Sequence, residues 1–171
     1  MKSTNKKPRI CLDMDEVIAD TYAKFSRLFK ERYGRVISRA DYQSPRVREI
    51  PGTMELREEY FKPGFFRDLP VMPNAVEVVK ELQEGYDIWI TTAAAEFKHS
   101  LADKYDWLGD HFPFIPWQRF VFCGNKSILR GDYMIDDKLH NLQSFNGQGL
   151  HFTAGLDMDS GSFTQVKDWL A

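Results

Sequence analysis

The sequence predicts an α/β protein with a Rossmann-like, three-layer α/β/α arrangement around a parallel sheet. Short apolar runs rich in β-branched and aromatic residues alternate with segments of helical periodicity. Such alternation implies right-handed βαβ crossovers, which cover a parallel sheet on both faces. The chain has 171 residues, 43% of them hydrophobic and 28% charged, which suits one domain with a small appendage.

The first third of the chain begins regularly and then loses its pattern. Residues 9–13 form a short apolar run that stops at acids, which predicts a buried strand. Apolar residues at helical spacing predict a helix over residues 19–33, which Gly34 ends. Residues 35–72 mix charges and aromatics with several prolines and glycines, so we expect short helices there.

The remainder of the chain is orderly from Pro73 onward. Asn74 is a plausible cap for a helix that Gly85 ends, and residues 86–91 are β-branched and aromatic, which predicts a strand. The same reasoning predicts further strands over residues 120–123, 132–135 and 150–153, and helices over residues 93–108, 139–145 and 163–170.

Composition excludes several classes of function. Lys and Arg total 23 against 25 for Asp and Glu, a formal charge of -2, whereas binding a nucleic acid polymer or a membrane surface needs massed cations. No stretch approaches the ~20 apolar residues of a membrane span. Residues 1–9 are basic like the start of a signal peptide, but Asp13 and Asp15 interrupt the apolar run that should follow. With Cys11 and Cys123 in apolar runs, as buried reduced thiols, a cytoplasmic protein is the simplest interpretation.

Polar residues follow the predicted strands. Asp13 and Asp15 come after the first strand, Thr92 after the second, Lys126 after the third and the Asp136–Asp137 pair after the fourth. Ligands of such sheets bind beyond the carboxyl ends of the strands, so we expect these groups to lie together.

That set of groups matches the needs of phosphoryl transfer through a covalent intermediate. A carboxylate serves as nucleophile, and a second acid protonates the leaving oxygen. Carboxylates repel a phosphate, so a hard divalent cation with oxygen ligands must bridge them. A hydroxyl, an ammonium and backbone N–H groups then hold the phosphoryl oxygens.

The series from Asp13 to Asp137 resembles the haloacid dehalogenase superfamily of aspartate-nucleophile phosphatases. More narrowly, the chain resembles the 5'(3')-deoxyribonucleotidase family. The segments that carry this narrower resemblance are residues 12–20 (LDMDEVIAD), 63–66 (PGFF), 69–73 (LPVMP) and 133–137 (YMIDD), with the ten-residue step from Lys126 to Asp136.

The resemblance implies a role for each matching residue. Asp13 matches the nucleophile that becomes the aspartyl phosphate, and Asp15 matches the general acid/base. Thr92 matches a hydroxyl that binds a phosphate oxygen. Lys126 matches the ammonium that pairs with nucleophile and phosphate, and the backbone N–H of Ala93 is also implied to bind phosphate.

The resemblance also implies a Mg²⁺ site. Asp13 and Asp137 match side-chain ligands, Asp15 matches a ligand through its backbone carbonyl, and Asp136 matches a residue that supports the site. Which member of the Asp136–Asp137 pair contacts the metal stays open at this point.

Two positions depart from the family pattern. Glu16 stands where the wider superfamily usually has glycine or another small residue, so its carboxylate must point away from the phosphate. Ala93 stands where the vertebrate enzymes carry serine, which removes one side-chain hydrogen bond to the substrate but keeps the backbone N–H.

The resemblance divides the chain into a core domain of residues 1–19 and 73–171 and a small helical cap of residues 20–72. A cap over the strand ends would exclude water and select the substrate. Tyr60 and Phe66 align with pocket aromatics of the vertebrate enzymes. The alternative is that the cap aromatics only form the cap's own core.

The implied substrate is a deoxyribonucleoside monophosphate, with a homodimer left open. Two alternatives remain: a phosphatase of another small phosphorylated metabolite, and a catalytically silent relative that binds a nucleotide. Substrate choice resides in the cap, so fold and catalytic groups alone do not separate the first two.

Overall fold

The computed structural model describes residues 6–170, and within them a parallel sheet of six strands forms the centre of the molecule. The sheet order is β3-β2-β1-β4-β5-β6, with every neighbouring pair parallel. The strands are β1 Arg9–Leu12, β2 Asp87–Thr92, β3 Phe120–Phe122, β4 Tyr133–Asp136, β5 Gln148–Phe152 and β6 Thr164–Val166.

Helices connect these strands. The α-helices are α1 Thr21–Tyr33, α2 Arg39–Gln43, α3 Thr53–Arg57, α4 Ala75–Gly85, α5 Ser100–His111 and α6 Leu139–Ser144. Short 3-10 helices lie at Pro45–Glu49, Glu58–Phe61, Ala94–Glu96, Trp117–Arg119 and Lys126–Ile128. No helix of the described residues is both long enough and apolar enough to cross a bilayer.

Both faces of the sheet are covered. Successive side chains of a strand point to opposite faces, and in β1 the side chains of Ile10, Cys11 and Leu12 are all buried. Ile10 and Leu12 belong to the large hydrophobic cluster, while Cys11 packs in a second cluster with Met134 and Leu142. The predicted parallel α/β sheet is therefore confirmed.

The segment between β1 and α4 enters and leaves at one place. Asp20 N–H donates to the carbonyl of Pro70 (2.7 Å), and Met72 N–H donates to the carbonyl of Ile18 (2.8 Å). The outgoing and returning chains thus lie side by side. Between them α1 ends as predicted at Gly34, whose φ of 65° is the left-handed conformation that glycine adopts at low cost.

Some predicted elements are wrong. Residues 163–170 do not form the expected helix; Thr164–Val166 form strand β6 instead, and these residues pair with β5. The helix expected from residue 93 begins only at Ser100, after a 3-10 turn. Asn74 has a φ of 63° and its side chain makes no capping hydrogen bond. Residues 1–5 and 171 of the predicted core domain lie outside the described residues.

Candidate active site

Asp13 lies where the sheet order changes direction. β1 has β2 on one side and β4 on the other, so the chain connections diverge between β1 and β4. Asp13 follows β1 directly, and its N–H donates to the carbonyl of Ile135 in β4 (2.9 Å). A crevice opens at such a switch point, beyond the carboxyl ends of the strands, and this is where parallel sheets bind ligands.

A buried lysine joins the acids of the two central strands. Nζ of Lys126 lies 2.5 Å from Oδ1 of Asp13 and 2.7 Å from Oδ2 of Asp136. Burial lowers the pKa of Lys126, but the two adjacent carboxylates raise it by more, so the pKa lies above its ordinary value. The ammonium therefore stays charged beside Asp13, where it can also meet an anionic substrate.

The two acids that end β4 have different surroundings. Asp136 is fully buried, and its carboxylate accepts hydrogen bonds from Lys126, from the N–H of Lys138 (2.9 Å) and from the amide of Asn141 (3.0 Å). Asp137 lines the cavity above the sheet and pairs with the side chain of Lys138 (2.7 Å). Asp137 is thus the more accessible of the two.

These acids fit a divalent cation. One carboxylate oxygen from each of Asp13, Asp136 and Asp137 lies within 4.8 Å of the others. Burial and the neighbouring acids raise the pKa of Asp13 and of Asp137, although Lys126 and Lys138 oppose the rise. Three hard oxygen donors that repel one another are the chemistry that Mg²⁺ offsets, so the residues present suit a Mg²⁺ site.

Asp15, Thr92 and Ala93 lie on the other side of Asp13. Asp15 and Ala93 line the cavity, while Thr92 is buried at the end of β2. The hydroxyl of Thr92 accepts a hydrogen bond from Nζ of Lys104 (2.9 Å), and the same Nζ pairs with Oδ2 of Asp15. The predicted phosphate-binding hydroxyl and the predicted acid/base are thus connected through one lysine.

Glu16 occupies a position that favours glycine. Its φ is 61°, in the left-handed region. The carboxylate is 4% exposed and accepts hydrogen bonds from Arg39 (2.6 Å), Gln43 (3.1 Å) and the N–H of Tyr22 (2.6 Å). Burial raises the pKa of Glu16 to about 7, and Arg39 opposes part of that rise. The third acid of the motif is therefore bound to groups on the segment between β1 and α4.

The end of the chain supports the loop that follows β1. The indole Nε1–H of Trp169 donates to the carbonyl of Val17 (2.8 Å). Trp169 is 6% exposed, and its ring packs on Phe152 of β5 with centroids 5.3 Å apart. Residues beyond the last strand thus fix the backbone close to Asp13 and Asp15.

A cavity of about 700 Å³ lies over the strand ends. Asp13, Asp15 and Lys126 line its floor, and Tyr60 and Phe66 line its wall. This volume is typical of a small-molecule site. Tyr60 and Phe66 are brought to the cavity although both also pack within an aromatic cluster, so the two interpretations of these side chains are not exclusive.

A pair of tyrosine hydroxyls adds a polar feature to that wall. The hydroxyls of Tyr42 and Tyr60 are 2.8 Å apart, and both residues line the cavity. Burial raises the pKa of both, so both stay neutral and can donate as well as accept.

Sequence reasoning missed Lys104 and Arg39. Lys104 carries one detectable signal, because it lies at helical spacing between Ser100 and Trp107 on the buried face of α5. A lysine on such a face must have a buried partner. Arg39 has no such signal, since it lies in an irregular segment and meets Glu16 only through the fold.

Known structures share this fold. A haloacid dehalogenase-like hydrolase from Streptococcus pneumoniae superposes with a TM-score of 0.61 at 14% identity, over 96% of this chain and 95% of that one. A magnesium-bound structure from Bacillus subtilis assigned to the HAD hydrolases gives a TM-score of 0.59 at 16% identity, over 96% of each chain. Both structures are described as haloacid dehalogenase-like hydrolases, and the likeness shows that this chain has the fold of that class.

The sequence is similar to a narrower group. The model of the family described as 5' nucleotidase, deoxy (pyrimidine), cytosolic type C protein matches residues 7–171, and the chain belongs to this family. A Staphylococcus epidermidis relative is 43% identical over 165 residues, covering 95% of this chain and 92% of its own. The 5'(3')-deoxyribonucleotidase of Bacillus subtilis is 32% identical over 163 residues, covering 95% of each.

Proposed function

We propose that the protein is a Mg²⁺-dependent 5'(3')-deoxyribonucleotidase, which hydrolyses a deoxyribonucleoside monophosphate to the deoxyribonucleoside and phosphate. The observation that carries the proposal is Asp13, held 2.5 Å from the buried ammonium of Lys126 on the floor of a cavity of about 700 Å³. The name of the Bacillus subtilis relative supports the substrate class.

The chemistry divides between two aspartates. A carboxylate oxygen of Asp13 forms a bond to phosphorus while the bond from phosphorus to the nucleoside oxygen breaks, and that oxygen takes a proton from the carboxyl group of Asp15. A water molecule then attacks phosphorus and gives its proton back to Asp15. The bond from phosphorus to Asp13 breaks, which releases phosphate and restores both aspartates.

Three further groups would hold the phosphate. Lys126 and the hydroxyl of Thr92 flank Asp13 and Asp15, and the backbone N–H of Ala93 belongs to a residue of the cavity wall. A charged lysine and neutral donors aimed at the phosphoryl oxygens stabilise the charge that develops during transfer. Ala93 supplies no side-chain hydrogen bond, so the binding relies on its backbone.

The acids at the strand ends would hold Mg²⁺. Asp13 and Asp137 would bind through their carboxylates and Asp15 through its backbone carbonyl. Asp136 already accepts hydrogen bonds from Lys126, Lys138 and Asn141, so it would orient the site instead of binding the metal. When bound, Mg²⁺ supplies charge neutralisation between the phosphate and the acids.

Residues 20–72 would act as a cap that selects the substrate, with residues 1–19 and 73–171 as the core domain. Tyr60 and Phe66, from this segment, offer ring faces to a base or a deoxyribose, and the paired hydroxyls of Tyr42 and Tyr60 offer hydrogen bonds. The free, buried Cys11 and Cys123 support a cytoplasmic location.

A phosphate-release assay tests the proposal. Purified protein is given deoxyribonucleotides, ribonucleotides and sugar phosphates, each with Mg²⁺ and with EDTA. We expect release from deoxyribonucleotides that needs Mg²⁺ and that the Asp13→Asn variant lacks. Preference for a sugar phosphate would favour a phosphatase of another metabolite. Nucleotide binding without any release would identify a silent relative.

A further inference from the structure

Lys104 is a buried ammonium outside the set of residues that the family motif contains. It lies on α5, is 1% exposed, and shares the buried face of that helix with Ser100 and Trp107. Burying a lysine is unfavourable unless its charge is paired and its donors are used. The partners of Lys104 therefore show what its burial accomplishes.

Each partner of Lys104 belongs to the active site. Its Nζ pairs with Oδ2 of Asp15, donates to the hydroxyl oxygen of Thr92 (2.9 Å) and lies 4.6 Å from the centre of the Phe66 ring. The other oxygen of Asp15, Oδ1, accepts from the hydroxyl of Thr21 (3.3 Å). Both oxygens of the Asp15 carboxylate are thus held, one of them by Lys104.

Lys104 itself does not reach the reaction. Asp15 lines the cavity, whereas Lys104 is buried, does not line it and contacts Asp15 and Thr92 from the interior. The other buried lysine of the site, Lys126, lines the cavity and pairs with Asp13. Each of the two aspartates thus has its own buried lysine partner, Lys126 for Asp13 and Lys104 for Asp15.

We propose that Lys104 is a positioning residue that fixes the orientation of the Asp15 carboxyl group for proton transfer. The proposal rests on the proposed function, in which Asp15 gives a proton to the leaving oxygen. A proton donor acts only when it lies within hydrogen-bond reach of that oxygen. Without Lys104, Thr21 is the only side chain among residues 6–170 that still donates to the Asp15 carboxylate, which then rotates away from the productive orientation.

The leaving group of the substrate separates this role from a structural one. An alkoxide leaving group such as a deoxyribonucleoside needs a proton, whereas 4-nitrophenolate is a weak base and departs without one. The value of kcat/KM reports the steps up to departure of the leaving group. A positioning role for Lys104 thus affects kcat/KM for dUMP far more than for 4-nitrophenyl phosphate.

Lys104→Met removes the donors and keeps an unbranched side chain of similar length. With Mg²⁺ present, we expect kcat/KM for dUMP to fall on the order of 100-fold and that for 4-nitrophenyl phosphate to fall less than about 5-fold. Asp15→Asn provides the reference, with the same selective loss. The double variant Lys104→Met/Asp15→Asn should be no more selective than Asp15→Asn alone, because both changes remove one function.

Lys24→Met is a matched control. Lys24 is also buried, lies 4.7 Å from the ring centre of Phe65 and donates to the carbonyl of Phe65 (2.6 Å). Its loss therefore disturbs the segment that carries Phe66, the ring that Lys104 contacts, without removing a contact of Asp15. We expect it to lower the melting temperature and leave the ratio of the two kcat/KM values unchanged. Should Lys104→Met fail to fold, Lys104→Gln retains an NH2 group that can donate and should show a smaller selective loss.

The outcomes separate the two proposals. Equal losses on both substrates in Lys104→Met, with a selective loss in Asp15→Asn, would overturn the positioning role and leave the proposed function intact. Equal losses in Asp15→Asn would contradict the acid/base role of Asp15 and the positioning role with it. If the wild-type protein cleaves 4-nitrophenyl phosphate and glycerol phosphate but no deoxynucleotide, the proposed substrate class is wrong and the role of Lys104 is still tested. Glycerol phosphate, which also has an alkoxide leaving group, then replaces dUMP in the comparison.

Discussion

Arg39 holds the side chain of Glu16, which lines the cavity, so replacing Arg39 tests how that part of the wall is held. Its guanidinium bonds Glu16 (2.6 Å) and both oxygens of Asp20 (2.7 Å each) and stacks over the ring of Tyr22 at 4.4 Å. The side chains of Arg39, Glu16 and Asp20 are only 17%, 4% and 13% exposed. Arg39→Met therefore leaves two largely buried carboxylates without their common partner.

The expected loss of stability follows from that burial. Removing one partner of a buried ion pair lowers the free energy of unfolding by about 3–5 kcal/mol. Arg39 is partly exposed, so we expect the lower value, about 3 kcal/mol. For a protein of this size each kcal/mol lowers the melting temperature by about 2–4 °C, so we expect a fall of about 6–12 °C. Calorimetry or fluorescence-detected melting with Mg²⁺ present measures it.

Arg39→Met should also weaken substrate binding. Glu16 lines the cavity next to Asp15, and without Arg39 its side chain loses the partner that holds it away from an incoming phosphate. We expect KM to rise about tenfold, which corresponds to about 1.4 kcal/mol, with a smaller change in kcat. In a Glu16→Gln background both effects should shrink, because the ion pair between Arg39 and Glu16 is already absent.

Arg46→Met is the control, since Arg46 is exposed on the adjacent 3-10 helix. If Arg39→Met and Arg46→Met melt within about 2 °C of each other and both have the wild-type KM, Arg39 does not stabilise Glu16 and Asp20 as expected. A loss of stability that is the same in the Glu16→Gln background would assign the effect to Asp20 alone.

Three further predictions concern the strand ends and the wall. Asp13→Asn should abolish turnover without unfolding, because an amide cannot form the aspartyl phosphate; more than a trace of wild-type activity in the folded variant contradicts the nucleophile. Mg²⁺ at ~100 times its dissociation constant should add about 2.7 kcal/mol, hence about 5–11 °C, to the melting temperature. The pKa values of Asp13 and Asp137 are raised in the folded protein, so the metal-free protein loses stability as pH rises above the ordinary aspartate pKa. The gain in melting temperature from Mg²⁺ over EDTA should therefore be larger at pH 8 than at pH 5. A gain that does not depend on pH contradicts this. Phe66→Ala should lower the ratio of kcat/KM for dUMP over UMP several-fold, because the apolar ring leaves a 2'-hydroxyl without a partner and its removal lets water reach that hydroxyl; an unchanged ratio in a folded variant removes Phe66 from the sugar subsite.

The strand-end acids could be predicted from the sequence, whereas the residues that hold them could not. Asp13, Lys126 and the Asp136–Asp137 pair each follow an apolar run, and the geometry of a parallel sheet brings the ends of such runs together. Arg39 reaches Glu16 across an irregular segment, a contact that neither periodicity nor spacing encodes.

The apolar spacing of residues 163–170 also predicted the wrong element, a helix where the structure has strand β6. Residues 163–170 have apolar residues at spacings that fit a helix, but pairing with β5 gives Thr164 and Val166 a strand conformation. That pairing is a tertiary interaction with a distant part of the sequence, so the local residues alone do not determine it.

The contact between Trp169 and Val17 has a consequence for how the protein is made. The hydrogen bond joins residues 152 positions apart, so Trp169 is synthesised long after Val17. Because chains emerge from the amino terminus first, the loop that bears Asp13 and Asp15 gains this hydrogen bond only after Trp169 has been synthesised. A nascent chain that has not yet reached Trp169 therefore already contains Asp13 and Asp15 but lacks the hydrogen bond that fixes the loop beside them.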